Sequence, residues 1–178
     1  IEWLHQESSH DIWDYDSANQ RLIVRDAEVE HRDYEGDIVY NAGKTSWGYT
    51  MNPDTGELLE RSEPLTQQIN FRHMVPHVED ERQYVMLPGL LGGVDWQPPT
   101  YCQETGLAYH KALNTPHEAA WRDEEHNPPE KFWGGIVDVE PDEEVIPDDY
   151  NGHISAICAV DPTTGQVVWR DWIDSDRY

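Results

Sequence analysis

The sequence predicts an all-β chain, and three observations carry the prediction. Short runs rich in Val, Ile, Tyr and Trp recur along the 178 residues, turn sequences ending in glycine separate them, and no stretch sustains the 3.6-residue apolar period of a helix. With 37% hydrophobic residues, eight Trp and nine Tyr, the chain has material for a packed domain, which separates it from a disordered acidic linker.

In chain order the predicted strands are Arg21 to Arg25, Asp37 to Asn41, Trp47 to Met51, Gln83 to Leu87, Leu107 to Lys111, His153 to Val160 and Gln166 to Trp172. Their β-branched and aromatic side chains suit a pleated, half-buried surface. Between them, Asn52-Pro53-Asp54-Thr55-Gly56, Gln103-Glu104-Thr105-Gly106 and Asp161-Pro162-Thr163-Thr164-Gly165 read as tight hairpin turns whose closing glycine takes a positive φ.

Gly56, Gly106 and Gly165 recur at intervals of 50 and 59 residues, a length that fits four-stranded propeller blades with loop insertions. The fullest copy runs from Ala159 to Trp169. A small residue leads into its turn, glycine closes it, and a tryptophan four residues later is predicted to be buried against a neighbouring blade. The other two copies place Glu60 and His110 where that tryptophan would stand. Trp121 to Pro129, and Val137 to Asp149 with its seven acids, read as surface insertions. Residues 1–178 are then one incomplete propeller segment, with blade-like repeats at approximately 1–60, 61–120 and 130–178.

Charge excludes some functions. Twelve Lys and Arg stand against 36 Asp and Glu, a net charge of -24, and lysine occurs only at 44, 111 and 131. Such a field repels phosphate backbones, so nucleic acid is excluded as a partner. An acidic excess poor in lysine also suits a halophilic protein, hydrated and screened in concentrated salt. No apolar run approaches the roughly 20 residues of a membrane helix, so no membrane span is predicted. Cys102 and Cys158 lack metal-site spacing and are read as thiols.

The stretch His10-Asp11-Ile12-Trp13-Asp14-Tyr15-Asp16 carries the candidate chemistry. In a strand, Asp14 and Asp16 would project side by side while Tyr15 points away. Adjacent carboxylates repel unless a cation lies between them. Oxygen ligands suit a hard ion such as calcium, and a trivalent ion gains more from the second charge. On spacing alone, two solvated acids near a turn remain the alternative.

These residues resemble the pyrroloquinoline quinone (PQQ) dependent alcohol dehydrogenases, a family of eight-bladed propellers that includes the methanol dehydrogenases. The turn-and-tryptophan copy at 159–169 matches that family's blade signature, and His10 to Asp16 is similar to the segment bearing its catalytic aspartate. Asp14-Tyr15-Asp16 looks like the lanthanide-dependent type, in which a second aspartate follows the tyrosine, and the acidic composition has a haloarchaeal look. Two more matches follow in order. Ala42-Gly43-Lys44-Thr45-Ser46-Trp47-Gly48-Tyr49 resembles a strand entry whose basic residue contacts quinone and catalytic carboxylate. Pro88 to Pro98 resembles a loop with a cofactor-contacting asparagine, here Asp95, and leads to a Tyr-x-x-x-Thr-Gly turn at Tyr101 to Gly106.

The resemblance implies roles for these residues. Asp14 is the general base and a metal ligand, Asp16 is the second metal ligand, and Lys44, Asp95 and Trp96 lie on the cofactor side, with packing as the alternative role for Trp96. It implies PQQ with a lanthanide(III) or Ca2+ acting as Lewis acid, a small alcohol or aldehyde substrate, an electron acceptor such as a cytochrome or copper protein, and an extracytoplasmic, secreted or cell-surface, setting. Blades of about 40 to 50 residues make this chain three or four of the eight. The remaining propeller must come from the same full-length chain or from a partner chain, and the segment alone is predicted to be inactive. A non-catalytic propeller scaffold or binding module shares the blade motif but has no need to gather Asp14, Asp16 and Lys44.

Overall fold

The computed structural model describes residues 1–9, 11, 14–69, 84–121, 136–139, 146 and 148–175. Its strands are β1 (Leu22–Val29), β2 (Tyr34–Ala42), β3 (Gly48–Met51), β4 (Leu58–Arg61), β5 (Tyr84–Met86), β6 (Thr100–Cys102), β7 (Leu107–Leu113), β8 (His117–Trp121), β9 (Ile136–Val139), β10 (Ser155–Val160) and β11 (Val167–Ile173). A 3-10 turn, Glu30–Arg32, joins β1 to β2. The chain is all-β.

Among the described residues the strands form three antiparallel sheets. Sheet 1 has the order β1-β2-β3-β4, sheet 2 the order β11-β10-β7-β6, and sheet 3 the order β5-β8-β9. Sheet 2 draws strands from both sides of the boundary between the repeats 61–120 and 130–178, because β8 and β9 leave it between β7 and β10 to pair with β5. Trp121 and Val137 therefore end and line strands where surface insertions were read. Residues 122–129 of the first insertion, and most of the second beyond Val139, lie outside the described residues.

The turns follow from their side chains. Gly56 N–H donates to Asn52 O, and Gly165 N–H to Asp161 O, each at 2.9 Å. Asn52 Oδ1 accepts the N–H of Asp54 at 2.8 Å, and Asp161 Oδ1 that of Thr163 at 2.8 Å, an Asx turn that pre-bends each hairpin. Gly56, Gly106 and Gly165 all take φ between 71° and 73°. Their positions differ, however. Gly56 and Gly165 close the β3–β4 and β10–β11 hairpins, whereas Gly106 closes β6–β7 of the same sheet as Gly165, so the 59-residue interval spans the departure of β8 and β9 and not a whole blade.

Sheets 1 and 2 pack face to face. Ala108 and Ala112 of β7 with Ala156, Cys158 and Val160 of β10 meet Tyr40 and Ala42 of β2. Four alanines let the sheets approach closely, and the pairing of Cys158 with His110 and Ala156 with Ala112 aligns the rows of sheet 2. His110 Nε2 and Tyr40 OH are 3.1 Å apart within this core. The seam is reinforced by polar contacts to the chain after β4: Arg170 Nε donates to Leu65 O at 2.7 Å, and Glu63 N–H to Gly165 O at 2.8 Å.

The other face of sheet 2 is open. Trp169 is 43% exposed, with Ile157 exposed beside it, so the burial predicted for this tryptophan is not found. Its ring meets Tyr109 across β10, 6.0 Å between centroids. The docking relation appears elsewhere. The Trp3 ring lies against Gly56 and donates its Nε1–H to Pro53 O at 2.7 Å, while Glu60 occupies the corresponding place at Gly165, where a Cβ would stand 3.0 Å from Glu60 Cγ.

Candidate functional site

Three segments converge beside the inter-sheet core: 14–16, the β2–β3 connection at 43–47, and the loop after β5 at 87–97. The connection is a tight turn in which Ser46 N–H donates to Gly43 O at 2.9 Å and Ser46 takes φ 63°. The loop lies directly on it. Gly93 N–H donates to Lys44 O at 2.9 Å, Val94 N–H to Gly43 O at 3.1 Å, and Leu113 N–H at the end of β7 to Gly93 O at 2.6 Å. Only glycine permits this approach at 92, since a Cβ there would fall on the Cβ and Cα of Lys44. His117 supports the loop from β8, its Nδ1 accepting the Leu90 N–H at 3.1 Å.

The acidic segment is not a strand. Asp14 takes φ 64°, in the left-handed region that a short polar residue tolerates, and no ladder includes residues 14–16. Asp14 and Asp16 nevertheless project together because Tyr15 is buried between them, its hydroxyl donating to Pro88 O at 2.5 Å. His10, Ile12 and Trp13 lie outside the described residues.

Lys44 stands at the centre, its side chain 8% exposed. Its Nζ donates to Asp14 O at 2.7 Å and Asp14 Oδ2 at 2.9 Å, and is 2.7 Å from Asp16 Oδ1. The carboxylates face outward, at 43% exposed for Asp14 and 54% for Asp16. Burial alone would lower the Lys44 ammonium, but hydrogen bonds to Asp16 and Asp14 and the charges of both hold it above the ordinary lysine value. Asp95 is buried, and burial pushes its carboxyl up, with Lys44 pulling it back and Asp16 and Asp14 adding to the rise. Trp96 is exposed at the loop surface.

The structure thus brings Asp14, Asp16 and Lys44 into contact, places Asp95 within electrostatic reach and leaves Trp96 at the surface. Among the described residues no three His, Cys, Asp or Glu side chains form a metal-binding group. Two carboxylates already gathered on one positive charge do fit a hard cation that takes its other ligands from elsewhere. Sequence reasoning missed Tyr15, Gly92 and His117 as the residues that position this site. The Gly-Leu-Leu-Gly-Gly run at 89–93 was the available signal for a close main-chain approach.

No protein-family profile matches the chain. It is 26% identical to a quinoprotein ethanol dehydrogenase of Pseudomonas putida over 96% of this chain and 29% of that protein. To a lanthanide-dependent methanol dehydrogenase of Methylorubrum extorquens it is 28% identical over 60% of this chain and 21% of that one. The chain is thus similar in sequence to quinoprotein alcohol and methanol dehydrogenases. Its fold agrees with that of a quinohemoprotein alcohol dehydrogenase of Pseudomonas putida at a TM-score of 0.77 and 20% identity, covering 97% of this chain and 27% of the other. The fold is part of a β-propeller. The chain spans under a third of the length of the quinoprotein relatives it matches. Among the described residues no helix is long and apolar enough to cross a membrane.

Proposed function

We propose that this chain is the part of a quinoprotein dehydrogenase that holds its general base, oxidising a small alcohol or an aldehyde. The observation that carries the reading is the convergence of Asp14 and Asp16 on one nearly buried ammonium. Asp14 and Asp16 bring two carboxylates to one lysine, with Asp95 in electrostatic reach, a surplus that a hard cation offsets. Calcium suffices for two carboxylates, and the second charge at Asp16 favours a lanthanide(III). To Lys44, Asp95 and Trp96 we assign the contacts with pyrroloquinoline quinone. Gln97 Nε2, a buried donor without an acceptor among the described residues, adds a polar contact for it.

When bound, the quinone with its metal supplies the hydride acceptor. Asp14 is half-exposed, within reach of an alcohol hydroxyl, and takes its proton. Lys44 bonds both the carboxylate and the main-chain carbonyl of residue 14, which fixes the direction from which that proton is accepted. The rest of the propeller, from the same full-length chain or a partner chain, completes the site, with a cytochrome or copper protein as electron acceptor. The proposed setting is extracytoplasmic and rich in salt.

Dye-linked alcohol oxidation by the complete propeller, supplied with quinone and either calcium or lanthanum, tests the reading. Asp14→Asn should abolish turnover and retain quinone, and Asp16→Ala should move metal preference toward calcium. Turnover surviving in Asp14→Asn, or an unchanged preference in Asp16→Ala, would overturn these roles.

A further inference from the structure

An ammonium has three protons to donate: Lys44 gives two to Asp14 O and Asp14 Oδ2, and its Nζ is also ion-paired with Asp16 Oδ1 at 2.7 Å. The side chain reaches these acceptors from the protein interior, since Lys44 is 8% exposed while Asp14 and Asp16 are open to solvent at 43% and 54%. Gly92 presses on the Lys44 main chain and the base of its side chain, so the stem has little room to withdraw. Lys44 therefore already offsets one of the two negative charges on which the cation site depends. A hard cation arriving from solvent meets carboxylates whose inner side is occupied by a positive charge about one ion-pair distance away.

We propose that Lys44 is a built-in counter-ion that competes with the cation, and that cation entry displaces its ammonium from Asp16 while the contact with Asp14 persists. The asymmetry is in the bonds: residue 14 holds Nζ through a carboxylate and a carbonyl, Asp16 through one oxygen only. Displacement frees one donor on Lys44 at the moment the cation binds, and that donor becomes available to whatever occupies the cofactor side. Cation loading and the bonding capacity of Lys44 are thereby linked. The inference rests on the cation reading of Asp14 and Asp16.

Terbium luminescence titration of the complete propeller measures the competition without turnover. Lys44→Met keeps the stem and removes the charge, so it should bind Tb3+ about tenfold or more tightly than the natural chain, because a positive charge a few ångströms from the ion is gone. Lys44→Arg keeps the charge and should not tighten binding. Equal or weaker binding in Lys44→Met, or equal tightening in both variants, would overturn the competition and leave the cation site standing. The Asp14→Asn and Asp16→Asn variants separate the two ideas: Tb3+ binding untouched by both would sink the site and the competition together.

A second measurement needs no variant. With 15N labelling confined to these 178 residues of the complete propeller, which hold three lysines at 44, 111 and 131, the nitrogen resonances of the ammonium groups are few. Titration with diamagnetic La3+ should shift Lys44 Nζ and speed its proton exchange. La3+ bound at Asp14 and Asp16 with the Lys44 signal unmoved would refute the displacement.

Discussion

Replacing Gly92 by alanine tests whether the loop over Lys44 depends on the absence of a side chain. Gly92 takes φ 73°, and a Cβ there would overlap the Cβ and Cα of Lys44. The left-handed conformation costs a residue with a side chain about 1 kcal/mol, and a methyl group forced against main chain adds about 1–3 kcal/mol. Gly106 supplies the control, because its φ is 71° and no atom lies within 4 Å of the built Cβ. Gly106→Ala should therefore carry the conformational cost alone, and Gly92→Ala should lose about 1–3 kcal/mol more. In thermal melts of a chain this size the gap is about 2–4 °C per kcal/mol. Urea midpoints with unchanged slopes would confirm that stability, not the unfolded state, has moved. If Gly92→Ala is no less stable than Gly106→Ala, the packing of the loop on Lys44 is not what holds the site together.

Two further outcomes follow from burial and charge. Burial takes the His110 imidazole down to about 4, so folding disfavours its charged form. The stability tied to it is complete above the unfolded value near 6.5 and is lost as pH falls from there toward 4, by about 3 kcal/mol in all. His110→Gln should flatten that part of a pH series of urea midpoints, and a series of unaltered steepness would assign the loss to other groups. Raising salt from 0.1 to 1 M shortens the screening length from about 10 Å to about 3 Å. With a net charge of -24 the melting temperature should rise over that range, and a flat or falling curve would remove the halophilic reading.

What the sequence reveals here depends on how each element gets its stability. β1, β2, β3, β5, β7, β10 and β11 were legible because Val, Ile, Tyr and Trp announce a pleated surface. β4 is Leu-Leu-Glu-Arg and β8 is His-Glu-Ala-Ala-Trp, compositions that suit a helix as well, and their pairing partners decide the matter. β9 sat inside a run dominated by acids, and β6 has only three residues. At the site, the pairing of Asp14 with Asp16 was legible but its cause was not. A pleat was predicted, whereas burial of Tyr15 against Pro88 and a left-handed Asp14 produce the same side-by-side projection. The open face at Trp169 was hidden for a different reason: a tryptophan at blade spacing declares a surface to be covered, whereas this residue is 43% exposed.

The departure of β8 and β9 from sheet 2 bears on the order in which the chain acquires its structure. Sheet 1 assembles from neighbouring hairpins, β2 with β3 and β3 with β4. The central pair of sheet 2 instead joins Leu113 to Ser155 across the whole excursion. Closing a longer loop costs more entropy before any contact rewards it, and pairings distant in sequence form slowly. Sheet 1, with Tyr40 and Ala42 on its surface, is therefore expected to form first, and the alanine-lined face of sheet 2 to condense onto it afterwards. Pulsed hydrogen exchange during refolding would register this as amide protection in β2 and β3 ahead of β7 and β10, and simultaneous protection would argue for a single concerted step. The turn that carries Lys44 belongs to the early part, so its main chain is set before the Leu113 contact that clamps the covering loop is made.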